Sequence, residues 1–227
     1  MSAASGVRRL PAVLVVLGVT AFVALTGASA ASYSGGSGAD PNAPGYSWVH
    51  NYWCDLYRDR ALDGADHRTG ALLAQVGALG AVLAIFCGFW CAGGAFGERD
   101  LPRARRATRA LAAVACLALI AIPLTPADRY GRLHFLVVGL AAGPALVAFT
   151  LAAAALARAE RTLRLLTAVA YGASLLHFGH YLAELFGGPA WGAGIAAEQK
   201  LVTGLDLAWL LVVALTTPRR APGASPS

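Results

Sequence analysis

The sequence predicts an all-α polytopic membrane protein, a bundle of six transmembrane helices with both termini in the cytoplasm. Hydrophobic residues make up 57% of the 227 residues, whereas charged residues make up only 13%. Because soluble domains carry about 25% charged residues, this composition excludes a soluble protein. The uncharged runs also reach the roughly 17 to 25 residues that a helix needs to cross a bilayer. They lack the alternating polarity of barrel strands, which favours helices over a β-barrel.

The six predicted spans account for nearly all of the apolar sequence. We therefore expect one membrane domain over residues 1–218, followed by a disordered cytoplasmic tail over residues 219–227. Residues 32–68 form the predicted external loop. The predicted spans cover about 10–31, 69–93, 108–125, 133–157, 164–186 and 198–217.

The distribution of basic residues predicts the orientation. Of the 18 lysines and arginines, twelve fall on one side of a six-span arrangement. Positive residues stay on the cytoplasmic side, so the first loop is expected to face outward from a bacterial cytoplasmic (inner) membrane. These arginines flank helix ends and form no patch with interleaved aromatics, so the bilayer is the expected partner and nucleic acid is not. They are Arg8, Arg9, Arg99, Arg103, Arg105, Arg106, Arg109, Arg158, Arg161, Arg164, Arg219 and Arg220.

The first apolar run has two interpretations. A short basic leader, an apolar core and small residues at Ala28 and Ala30 also describe a cleavable signal peptide. The uncharged run is longer than the core of a usual signal peptide, which favours a retained span. Either interpretation leaves the loop outside.

Small residues predict where helices pack closely. Gly139 and Gly143 are four residues apart in the fourth span, and Gly70, Ala74 and Gly77 have similar spacing in the second. Small side chains at this spacing let helix backbones approach each other. We expect these contacts within one chain rather than between two copies.

Several ionisable residues fall inside the predicted spans. With a rise of about 1.5 Å per residue, His177 lies roughly 10 Å below Glu184, and Asp206 lies roughly 10 Å below Glu198. These two residues therefore share a depth, and His134 opens the fourth span at a slightly higher level. Ionisable groups at such depth are expected to face the bundle interior and to pair.

Two explanations fit this arrangement. His177 and Asp206 form one buried hydrogen-bonded pair that fixes helix register, or a polar pocket opens to the outer face. The pocket is the favoured interpretation, because all five histidines lie in the outer third or the outer loops. The candidate pocket residues are Asp55, His134, His177, His180, Glu184 and Asp206.

The segment "HNYWCDLYRDRALDGADH" in the first loop is the most polar and aromatic part of the chain. Aromatic rings of this kind settle at membrane interfaces, so the loop is predicted to lie across the mouth of the bundle as a lid. Its second half predicts a short helix with a turn at Asp63 and Gly64, and its alternating charges predict a solvated helix face that includes Asp55. The lid candidates are His50, Asn51, Trp53 and Cys54.

Three short segments carry a family resemblance. They read "HNYWCDL" (residues 50–56), "TPADRYGRLH" (residues 125–134) and "AEQK" (residues 197–200). Their order among the spans resembles the bacterial six-span membrane family called domain of unknown function 998, and more distantly the DRAM-like membrane proteins. Where that family often has Ser-Asp-Leu-Gly, this chain has Cys54 in place of the serine and Tyr57 in place of the glycine. The resemblance implies a fold and a membrane location, but no reaction.

Three functional hypotheses follow from the sequence. The first is a binding or accessory protein whose pocket takes a small polar solute or a lipid headgroup. The second is a metal-dependent hydrolase of lipid headgroups at the outer leaflet, with His177 and His180 as weak metal candidates. No HExxH or nucleophile-elbow motif supports catalysis. The third is a purely structural membrane partner. The sequence assigns no cofactor.

Overall fold

A computed structural model describes residues 3–96, 102–186 and 193–216. This part of the chain is all-helical and contains no β-strand beyond two isolated bridges in the first loop. The expected tail at 219–227 lies outside the described residues. The helices are α1 (Ala3–Ala31), α2 (Arg68–Gly93), α3 (Pro102–Leu124), α4 (Ala127–Tyr130), α5 (Arg132–Leu156), α6 (Arg161–Leu185) and α7 (Ala193–Thr216).

Five helices are long and apolar enough to cross a membrane: α1, α2, α3, α5 and α7. At the helix ends next to the first loop, α1, α2, α3 and α5 match the predicted spans to within one residue, whereas α7 begins five residues before the predicted start. The remaining predicted span, 164–186, corresponds to α6. This helix has 25 residues, as does α5, so it is long enough to cross a membrane. Its polar side chains make it less hydrophobic than the other five helices, and it is not counted with them.

The α1 and α2 helices share the most extensive contact of any two described helices. A Cβ atom added at Gly18 would lie 2.4 Å from the backbone oxygen of Gly80. One added at Gly77 would lie 3.2 Å from side-chain atoms of Leu25 and Thr26. Close packing within the chain at the small residues of α2 is therefore confirmed for Gly77.

The same prediction is wrong for α5. A Cβ atom at Gly143 would meet nothing within 4 Å, and one at Gly139 would meet only the ring of Tyr181 at 4.0 Å. The four-residue spacing of small residues predicts a helix face without large side chains. It does not predict which helix, if any, packs against that face. In this chain, that face of α5 borders open space.

The first loop, residues 32–67, is a compact cap rather than an extended linker. The two bridges pair Gly35 with Pro44 and Arg60 with Asp66. Gly36 has a φ of +85°, and a Cβ atom there would lie 2.5 Å from the backbone nitrogen of Asp63. Only glycine lets these two turns approach so closely. The predicted turn near Gly64 is also present, with a φ of +87°.

Candidate functional site

Asn51 organises the first loop from its centre. Its side chain is fully buried, donates to the carbonyl of Gly36 at 3.0 Å and accepts from the backbone N–H of Ser47 at 2.8 Å. It also lies 3.4 Å from the carboxylate of Asp55. Because buried polar groups need partners, these bonds fix one conformation of the loop. Asn51 thus holds the loop together but does not face the cavity described below.

Asp55 belongs to the same network. Its carboxylate accepts from the backbone N–H of Tyr52 at 2.8 Å and begins a single 3-10 helix, Trp53–Tyr57. Arg58 lies 3.4 Å from its other oxygen. Asp55 is only 6% exposed, so the prediction that it lies on a solvated helix face is wrong. The predicted short helix is reduced to this one turn.

Burial sets the protonation chemistry of the loop. Desolvation raises the pKa of Asp55, although the N–H of Tyr52 and the charge of Arg58 oppose the shift. Desolvation also raises the pKa of Cys54 to about 12, with the charge of Asp55 adding to the effect. Cys54 therefore remains a thiol at neutral pH and is a poor nucleophile.

Contacts of Trp53, Asn51 and Tyr46 attach the loop to the N-terminal half of α7. The backbone N–H of Trp53 donates to Gln199 at 2.9 Å, and its indole N–H donates to Thr203 at 3.2 Å. The ammonium group of Lys200 donates to the carbonyl of Asn51 and lies 5.3 Å from the ring centre of Tyr46. Bonds to both ends of the Trp53 residue fix its ring over the bundle.

The three sequence segments that carry the family resemblance come together here. Residues 50–56 meet residues 197–200 through the contacts of Trp53 and Lys200. In the third segment, the imidazole Nδ1 of His134 lies 2.7 Å from the carbonyl of Thr125. Arg129 forms an ion pair with Asp59 of the loop. Segments far apart in the chain thus form one layer at the loop end of the bundle.

Beneath this layer lies a cavity of about 600 Å³. It extends along α5 from His134 to Phe149, which corresponds to roughly 22 Å of helix. Polar residues of the loop and of the outer helix ends line the outer part. The inner part is lined mainly by apolar residues of α2, α3, α5 and α7, among them Ile85, Phe89, Leu119, Ala142, Ala145, Phe149, Trp209 and Leu210.

Most of the predicted pocket residues line this one cavity. They are Asp55, His134, His177, Glu184 and Asp206. Among the lid candidates, His50, Trp53 and Cys54 also line it. His180 does not, because its Nδ1 lies 2.8 Å from the carboxylate of Glu198.

The polar residues of α6 pair with both neighbouring helices. Toward α5, the hydroxyls of Tyr171 and Thr150 lie 2.8 Å apart, and Tyr181 donates to the carbonyl of Phe135. Toward α7, the indole N–H of Trp209 donates to Thr167 at 3.0 Å. These contacts run in opposite order along the paired helices, so α6 is antiparallel to both.

The less favoured alternative, a pair of His177 with Asp206, is wrong, because each residue has a different partner. Asp206 accepts instead from the hydroxyl of Ser174, at 3.0 and 3.1 Å to its two oxygens. His177 lies 3.6 Å from Glu198, which also contacts His180. The rise along each helix predicted a common depth for His177 and Asp206. Which side chains meet depends also on how the two helices are rotated and shifted relative to each other, and this brings different partners to each residue.

Metal coordination finds no support among the described residues, which contain no group of three His, Cys, Asp or Glu placed to hold an ion. The weak metal candidates His177 and His180 both lie against Glu198. This arrangement pairs imidazole with carboxylate directly.

The inner wall of the cavity was not anticipated from the sequence. Trp209 is 1% exposed and packs its ring 4.3 Å from that of Phe149 and 5.4 Å from that of Phe89. A usable signal was the position of Trp209 three residues after Asp206, which puts both on one helix face. The pairing of Ser29 with His67 at 3.3 Å, which joins the ends of α1 and α2, was also missed.

Comparison of the chain with protein-family models, curated proteins and solved structures found no match.

Proposed function

We propose that this chain is a membrane protein that binds a small amphiphilic solute or a lipid headgroup in the cavity beneath the first loop. The observation that carries the proposal is the cavity, whose volume of about 600 Å³ falls in the range of small-molecule sites. Its outer part offers polar groups and its inner part apolar walls. A ligand with a polar end and an apolar body matches both.

The topology in the proposal is six spans with cytoplasmic termini and an external first loop, in a bacterial cytoplasmic membrane. The length of α6 and its antiparallel pairing with α5 and α7 support a sixth span. The arginine distribution supports the orientation. Kinship with the domain of unknown function 998 family forms part of the same proposal, since its resembling segments form the layer at the loop end of the bundle.

Binding is favoured over the two other hypotheses. The hydrolase hypothesis is a metal-dependent one, and the described residues contain no group of three His, Cys, Asp or Glu placed to hold an ion. A purely structural role accounts for the polar pairs of α6, which tie it to its neighbours. It does not account for a cavity lined by His134 and Asp206.

Filling the cavity tests the proposal. Ala145 lines the cavity, whereas Ala154 lies on an exposed part of the same helix. The full chain is purified from membranes as wild type, Ala145→Phe and Ala154→Phe, and bound small molecules are measured by native mass spectrometry. We expect wild type and Ala154→Phe to carry the same adduct and Ala145→Phe to lose it. An adduct kept equally by all three, or no adduct on wild type, contradicts the proposal.

A further inference from the structure

The inner end of the cavity holds a carboxylate with unused acceptor capacity. Asp206 lies midway along α7, lines the cavity, and accepts from Ser174. The Ser174 hydroxyl carries one proton and also lies 2.9 Å from the carbonyl of Ala170. An ionised carboxylate offers about four lone-pair sites, so one shared proton leaves Asp206 with capacity for further donors.

No protein cation neutralises this carboxylate within the described part of the chain. Asp206 takes part in none of the ion pairs found there, and the one arginine that lines the cavity, Arg58, lies at the outer end against Asp55. Three carboxylates line the cavity, those of Asp55, Glu184 and Asp206. Charged groups at membrane depth are expected to pair, and a cation that enters the cavity meets in Asp206 an acceptor that no protein cation in the described residues occupies.

The walls next to Asp206 suit an organic cation in particular. Trp209 lies one helical turn further along α7 and packs against Phe149, and both line the cavity. Aromatic ring faces attract cations, most strongly where water is excluded. They also receive an apolar body. A bare metal ion would gain little here because Asp206 has no second acidic ligand beside it among the described residues.

We propose that the inner end of the cavity binds a protonated amine carried on an apolar body, with the ammonium group on Asp206 and Ser174 and the body against Trp209 and Phe149. This inference rests on the proposed function, since it names the ligand class of the same cavity. Glu184 at the outer mouth adds negative charge along the route by which such a cation reaches Asp206.

Three compounds with one apolar body test the charge requirement: 4-phenylbutylamine, 4-phenylbutanol and 4-phenylbutyrate. Each is titrated into the full chain in phosphatidylcholine nanodiscs, and binding is followed by calorimetry. The amine should bind wild type more tightly than the alcohol or the acid. Asp206→Asn, which keeps the shape of the side chain, should weaken amine binding about tenfold or more while leaving the alcohol unchanged. Ser174→Ala should weaken amine binding less.

Asp128→Asn is the matched control, because Asp128 is a carboxylate in α4 that does not line the cavity. Equal binding of all three compounds, or an unchanged amine affinity in Asp206→Asn, overturns the inference. If all three bind equally and Ala145→Phe abolishes their binding, the proposed function stands without the amine preference. If none binds to wild type, the inference fails, and the adduct measurement then decides the proposed function separately.

Discussion

Single residues in the first loop show how a polar sequence becomes a buried structure. Asn51, Asp55 and His67 are each no more than 6% exposed, although polar residues in a loop are usually solvated. Each has a partner in the loop or at a helix end, so burial is compensated by hydrogen bonds. Burial also shifts the protonation equilibria of Asp55 and His67, so the packing of the loop can be measured through its dependence on pH.

His67 makes stability depend on pH. Desolvation lowers its pKa from the ordinary value of 6.5, with Asp66 partly opposing the shift. As the pH falls, His67 is therefore protonated near pH 6.5 in the unfolded chain but only at a lower pH in the folded protein. The contribution of neutral His67 to the free energy of unfolding is complete above pH 6.5. It is lost as the pH falls from 6.5 through the lowered pKa of the folded protein. Thermal melts from pH 7.5 to about 5 should show this slope, and His67→Asn should reduce it.

The control for His67 is His50→Asn, at an exposed position of the same loop. This variant should keep the slope of wild type. A slope that survives His67→Asn unchanged would show that another group governs acid sensitivity.

Cys54 should resist alkylation. A pKa raised from 9.0 to about 12 lowers the thiolate population about a thousandfold, and thiolate is the reacting species. Maleimide labelling of the folded protein, followed by peptide mapping, should leave Cys54 unmodified while the Ala39→Cys variant is labelled quickly at its exposed loop position. Labelling of Cys54 as fast as that control would mean that the loop does not pack as described.

For the helices, the sequence predicted the residue bounds of each helix better than it predicted which helices contact each other. Charge-free runs gave bounds for α2, α5 and α6 within three residues of those found, whereas α3 begins at Pro102, six residues before the predicted start, because the helix continues through its arginines. The polar stripe on α6 was also evident from its three- and four-residue spacing. Its partners were not, because Ser174 and His177 select between carboxylates of α7 by helix rotation, which spacing within one helix does not encode.

Gly18 in α1 and Gly143 in α5 should respond differently to alanine. Gly18→Ala would place a Cβ atom 2.4 Å from a backbone oxygen of α2, so the helices must separate. We expect a loss of about 1–3 kcal/mol of stability. Gly143→Ala meets nothing within 4 Å and should be neutral or stabilise by up to about 1 kcal/mol through helix propensity. Unfolding in detergent measures both, and equal losses would contradict the assigned packing.

Over the whole molecule, two kinds of packing divide the bundle. The α1 and α2 helices pack through glycine and alanine at close backbone distance, whereas α6 is held to α5 and α7 by side-chain hydrogen bonds. The cavity lies along a different part of α5, which includes Ala142, Ala145 and Phe149. The sequence predicted polar groups at a common outer level, and five of the six pocket candidates line that cavity. It did not predict the cavity, because an internal volume depends on how five helices and a loop fit together.

The topology decides whether this cavity faces outward, and α6 is the element on which the topology depends. Alkaline phosphatase, active only outside the cytoplasm, is fused after Asp59, Arg103, Arg161 and Trp191 of the full chain. We expect activity after Asp59 and Trp191 and none after Arg103 or Arg161, because positive residues stay inside. Opposite results after Arg161 and Trp191 mean that α6 crosses the bilayer, with its polar side chains turned to α5 and α7. Activity after Arg103 reverses the orientation, and equal results on both sides of α6 leave five spans and contradict the antiparallel packing of α6 with α5 and α7.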